Sequence, residues 1–152
     1  MSIIDSILEM DDFDDAIMEM DDYLAGRFED EPDSLSEPEK NVLFVLDFEK
    51  EINNGGFSQF FWNSTGNFAQ ETLLALNAIK AEKTYILLAK AISVFPNSNV
   101  EKNRAARRDI IDEIGDQAEP LWNSLNKSFY KYEDDITVLI LQYIKANKKN
   151  FA

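Results

Sequence analysis

A chain of 152 residues fits one domain, and its 45% hydrophobic and 12% aromatic content supplies material for a real core. It contains neither Cys nor His, which excludes disulfides, zinc–thiolate and iron–sulfur sites, thiol catalysis and every Ser-His or Cys-His arrangement. A formal net charge of −14 argues against a surface shaped to hold nucleic acid directly.

Residues 3–24 read as one amphipathic helix. Ile3, Ile7, Met10, Phe13, Ile17, Met20 and Leu24 recur at three- and four-residue steps, with aspartates and glutamates between them. Gly26 reads as its stop, and 27–35 as a polar linker with a proline breaker. Residues 1–35 thus form an acidic N-terminal helix and linker, ahead of a helical core domain over 36–152. Ser36 opens the next helix with a capping box to Glu39 and Pro38 in its first turn. Paired glycines at 55–56 predict its end over 53–56. A short aromatic turn or helix follows over 57–63, then helices over about 68–80 and 83–95 and a loop at 96–99. A charged helix over 101–114 points Ile110, Ile111 and Ile114 inward. The segment 134–147 is rich enough in β-branched residues to leave a strand open beside the helix. Clean period-two alternation is absent elsewhere, which predicts an all-α fold.

The start MSIIDSILEM has no basic region and meets Asp5, so it does not read as a signal peptide. The densest apolar runs, 42–46 and 137–144, fall far short of the roughly 20 residues of a membrane span. The expectation is a cytoplasmic protein with no membrane partner.

The charge is concentrated. Residues 1–51 hold 18 acids against Arg27, Lys40 and Lys50, whereas the remainder is close to neutral. Nine acids over residues 5–22 would span about 27 Å as a continuous helix, about one charge per 3 Å. A DNA strand places a phosphate roughly every 3.4 Å. Neighbours such as Asp11, Asp14 and Asp15 repel at a cost of a few tenths of a kcal/mol per pair. The bland reading is a solvated face. The sharper one is a partner-binding surface made of Asp11, Asp12, Asp14, Asp15, Glu19, Asp21 and Asp22, with Glu29, Asp30 and Glu31 contributing.

The segment NNGGFSQFFWNSTG at 53–66 gathers Asn53, Asn54, Gly55, Gly56, Gln59 and Asn63 among aromatics. A glycine-rich turn with amides can cradle an anion, but a phosphate loop needs a following Lys, and none is present. Phe57, Phe60, Phe61 and Trp62 are therefore expected to plug the core, while Gln59 and Asn63 satisfy buried backbone ends. The run EKEINNGGFSQFFWN, with ETLLALNAI, YILLAKAISVF, SFYKYEDD and the ending Tyr143, Ile144, Asn147 and Phe151, resembles a largely uncharacterised family of small bacterial α-helical domains that includes a DNA-mimic protein. The resemblance covers roughly residues 40–152. It departs from the family pattern near Lys80, where a glycine is expected and Lys80-Ala81-Glu82 stands. It implies an all-α fold, dimerisation and a role as a decoy for a DNA-binding protein. The acidic helix lies outside the motif region, so the motif does not itself transfer mimicry to it.

Lys102, Arg104, Arg107 and Arg108 form a basic stretch read as exposed, or as neutralising part of the acidic segment. Lys145, Lys148 and Lys149 close the final helix, where cations suit its dipole. Paired aspartates lack the calcium-loop pattern, and the di-iron signature needs His; no metal, cofactor or catalytic residue is expected. The leading reading is a non-enzymatic DNA mimic occupying the site of a basic DNA-binding protein. The alternatives are an immunity-type inhibitor of a basic toxin or nuclease, and an enzyme with a site around Asn54, Gln59 and Asn63.

Overall fold

The computed structural model describes residues 2–151. Seven α-helices and no strand occur among them: α1 (Ile3–Leu8), α2 (Phe13–Asp30), α3 (Glu37–Trp62), α4 (Ala69–Ala78), α5 (Glu82–Ile92), α6 (Arg104–Phe129) and α7 (Ile136–Ala146). The all-α expectation holds, and residues 136–146 are helix, not strand.

α3 is the hub. It packs against α2, α4, α6 and α7, and its length explains why it can. Ser36 and Glu39 form the expected capping box, and Val42, Leu43, Val45, Leu46, Phe48 and Ile52 bury most of its circumference. The helix does not stop at the glycine pair. Gly56 adopts φ 77° and ψ −172°, a conformation reserved in practice for glycine, so the chain kinks and resumes as a short helix to Trp62. The Phe57 N–H freed by the kink donates to Asn126 Oδ1 at 2.9 Å. Phe57, Phe60 and Phe61 then enter the core as expected, where Phe61 meets Phe95 and Trp122 with ring centroids 4.9 and 5.0 Å away. Trp62 does not; it is 36% exposed.

The N-terminal segment departs most from its periodicity. The single helix over 3–24 is broken at Glu9–Asp12 because Asp12 caps a new helix, its Oδ1 accepting from the N–H groups of Asp14 and Asp15 at 2.9 and 3.1 Å. The break re-aims the inward face: Ile4, Ile7, Ala16, Met20 and Leu24 are buried, while Ile3 and Phe13 are exposed. Gly26 does not end α2. The helix continues through the first half of the expected linker to Asp30, and stops where Pro32 restricts the residue before it. The apolar side chains of α1 and α2 join the same buried cluster as those of the later helices.

α6 also outruns its expected end at Ile114, extending to Phe129 with Pro120 inside. α4 closes with Lys80 at φ 68°, and the Ala81 N–H reaches back to the Leu76 carbonyl at 3.0 Å. That is the six-to-one bond of a glycine-type helix stop, made here with a lysine at the left-handed position.

Candidate acidic interaction surface

α2 is 18 residues long, about 27 Å at 1.5 Å per residue. Ala16, Met20 and Leu24, four residues apart, fix its inner face. Asp14, Asp15, Glu19, Asp22, Glu29 and Asp30 are all exposed on the rest of the circumference. Asp15, Asp22 and Glu29 recur every seven residues, or about two turns, and form a row down the outside. Asp11 and Glu31 stand exposed at the two ends. Asp14 and Asp15 suit the N-terminal dipole, but Glu29 and Asp30 sit at the end that disfavours anions. Helix stability therefore does not account for them.

Among the described residues, no Lys or Arg makes an ion pair with Asp11, Asp12, Asp14, Asp15, Glu19, Asp22, Glu29, Asp30 or Glu31. Asp21 is the exception within α2. It is half-buried and takes Lys50 Nζ at 2.7 Å, while Lys50 also reaches Asp47 at 3.2 Å. Burial pulls the Lys50 ammonium down, but Asp21 and then Asp47 outweigh it and hold the group above its ordinary value. Two other acids of the charged first third are neutralised within the chain: Glu39, buried, by Arg27, and Asp5, at the surface, by Lys148. Asp12 remains exposed but is committed to capping.

The acidic field continues onto elements that charge counting did not single out. Burial pushes the Glu49 carboxyl of α3 up, and the charges of Asp14 and of Asp135, the N-cap of α7, push it the same way against the Tyr132 hydroxyl that donates to it. Burial likewise raises Asp47, with Asp21 and Glu51 adding to it and Lys50 opposing. The sequence signal was present in the EKE run at 49–51 and in Asp134-Asp135, but only the fold brings these groups beside α2.

The amides of the 53–66 segment behave differently from expectation. Gln59 and Asn63 do not cap backbone; their Nε2 and Nδ2 donate to Glu51 Oε2 at 2.6 and 3.2 Å. Asn54 is exposed and lines a separate shallow depression with Glu49, Lys50 and Asn53. The three amides do not converge. The backbone ends are satisfied by the basic stretch instead. Arg107 is fully buried and donates to the carbonyls of Phe61 (2.6 Å), Asn63 (2.8 Å), Glu101 (2.8 Å) and Lys102 (3.1 Å). Arg104 and Arg108 both reach the Trp62 carbonyl, and Arg108 also lies 4.5 Å from the Trp62 ring centroid. Lys102 pairs with Glu71. Among the described residues, no member of the stretch makes an ion pair with α2. Among the described residues, no group of three or more acids is placed to hold a metal ion.

A family model described as DMP19-like protein matches residues 33–147. The chain belongs to the DMP19-like family. Neither the curated proteins nor the solved structures contain a match to it. The DMP19-like match takes in α3 to α7 with the kinked 53–66 segment, and begins after the last residue of α2. The helical core is thus the part the DMP19-like family accounts for, and the acidic row of α2 is supplied from outside the matched residues. No helix of the chain is long and apolar enough to cross a membrane among the residues described.

Proposed function

We propose that this DMP19-like protein is a non-enzymatic acidic interaction module, a DNA mimic whose α2 face occupies the DNA-binding site of a basic DNA-binding protein. The observation that carries this reading is the row of unpaired carboxylates on α2. Six of the seven acids of α2, all but Asp21, make no ion pair among the described residues; over about 27 Å they come about one per 4.5 Å, against roughly one phosphate per 3.4 Å of a DNA strand. The inner face of α2 is anchored in the core through Ala16, Met20 and Leu24, so the charges are presented on a rigid support and not on a frayed tail. A homodimer, which the family resemblance implies, would present two such rows. A field of this sign speeds encounter with a basic partner and makes the complex sensitive to salt.

The test immobilises the chain and a triple variant, Asp15→Lys, Asp22→Lys and Glu29→Lys, and captures proteins from a lysate at low salt. Wild type is expected to retain DNA-binding proteins that elute as salt rises and that duplex DNA displaces. The variant is expected to retain none of them while melting at the same or a higher temperature. Equal capture on both surfaces, or bound proteins that duplex DNA fails to displace, would overturn the reading.

A further inference from the structure

The largest of the depressions described is not on the acidic face. A groove of about 570 Å³ runs between α6 and the end of α3, against about 210 to 370 Å³ for the other depressions described. No residue of α2 lines it. Trp62, 36% exposed and with Arg108 of the same chain 4.5 Å from its ring centroid, supplies most of its apolar surface above the nearly buried Ile111 and Trp122. Asp112, Asp116 and Glu119 rim it with no Lys or Arg among the lining residues. All three carboxylates are exposed and make no ion pair among the described residues.

Gly115, which also lines the groove, is the second observation. It sits in the interior of α6, its φ is not in the left-handed region, and a Cβ added there would meet nothing within 4 Å. A glycine inside a helix costs roughly 0.5–1 kcal/mol relative to alanine. Nothing within the protein requires that cost, and the space the missing side chain leaves open belongs to the groove.

We infer that this groove is a docking site for an extended peptide segment of a partner that carries Lys or Arg side chains. Charge and shape select that occupant. From Asp112 to Glu119 the rim runs about 10 Å along the helix, the length of about three residues of extended chain. A Lys or Arg stem lies well along the exposed part of the Trp62 indole while its cationic head reaches a carboxylate. The cleared space over Gly115 admits the peptide backbone close to α6. The site is separate from the α2 row and stands whether or not that row mimics DNA.

The experiment uses the full chain and a fluorescein-labelled decapeptide of alternating Lys and Leu, followed by fluorescence anisotropy at low and high salt. Wild type is expected to bind the peptide and to ignore its Glu-for-Lys counterpart. A variant with Asp112→Asn, Asp116→Asn and Glu119→Gln is expected to bind at least ten-fold more weakly. Gly115→Leu is expected to weaken binding as much while melting no lower than wild type. The α2 triple reversal is expected to stay within three-fold of wild type. Absence of binding, unchanged affinity in both groove variants, or loss only in the α2 variant would overturn the assignment. So would sedimentation showing that the groove variants break a homodimer the peptide cannot compete with, since the occupant would then be a second copy.

Discussion

Two charged stretches on helices are used in opposite ways. The acids of α2 point outward and remain largely unpaired, whereas the arginines at the start of α6 turn toward the carbonyl ends of α3. The stop of α3 at Asn63 leaves the carbonyls of Phe61, Trp62 and Asn63 without partners in the helix, and these are the groups the arginines take. A guanidinium, with five donors in a planar fork, is suited to several of them at once. The outer face of α2 offers nothing comparable to bond. The lesson is that the sign of a charge run says less about its role than the orphan backbone groups within its reach.

The largest expected effect breaks this comparison most directly. Arg107→Leu strands four carbonyls in a buried site and is expected to cost about 3 kcal/mol or more, enough to prevent folding of a marginally stable domain. Arg107→Lys keeps the charge but loses the fork, and is expected to cost about 2 kcal/mol. Urea unfolding measures both. If Arg107→Leu were no less stable than Asp15→Lys, the inward role of the basic stretch would be wrong. Gly56→Ala comes next, because a methyl would enter the left-handed backbone region and lie 2.3 Å from Asn126 Nδ2. About 2 kcal/mol is expected, within the range for strained backbone plus a displaced hydrogen bond. Asn126→Ala, which removes only the bond to the Phe57 N–H, should cost about 1 kcal/mol.

What could be read beforehand divides along the same line. Capping of α3 by Ser36 and Glu39, burial of Phe57, Phe60 and Phe61, and the all-helical class followed from local pattern. The break before α2 did not, because the apolar spacing runs through it and the decisive event is a single carboxylate, Asp12, choosing to cap. The burial of Arg107 was invisible for a different reason: its four acceptors come from residues 61, 63, 101 and 102, which only the packed fold brings together. Exposure of the α2 acids could be guessed from amphipathicity. Their extension to Glu49 and Asp135 could not, since those residues are far apart in the chain.

Protons sharpen the comparison next. Asp47 and Glu49 have carboxyls raised by burial, so the folded protein holds protons that the unfolded chain has already released. Stability therefore falls as pH rises from the ordinary carboxylate range, about 4, through their raised values, and the cost is full above them. Acidification from neutral pH is expected to raise the melting temperature until that range is reached. Below it, the Asp5 carboxyl, held down chiefly by its hydrogen bond to Lys148, acts in the opposite direction. Glu49→Gln retains an oxygen for the Tyr132 hydroxyl and should melt higher than wild type at pH 7, with the gap closing on acidification. A constant gap across that interval would show that burial, and the acidic field around it, does not set the titration.

The smallest effects come from two opposite glycine exchanges. Lys80→Gly relieves a left-handed lysine at the end of α4 and should add about 1 kcal/mol. Gly26→Ala acts on the outer side of α2, where an added Cβ would meet nothing within 4 Å and φ is not left-handed. It should add about 0.5–1 kcal/mol by improving helix propensity. The two gains should be additive, because the sites share no partner. Gly26 also lies among Asp22, Glu29 and Asp30 on the face proposed to meet a partner. If Gly26→Ala stabilises the fold yet weakens capture of DNA-binding proteins, that face needs clearance as well as charge. If it stabilises and leaves capture unchanged, the contact is made through the carboxylates alone.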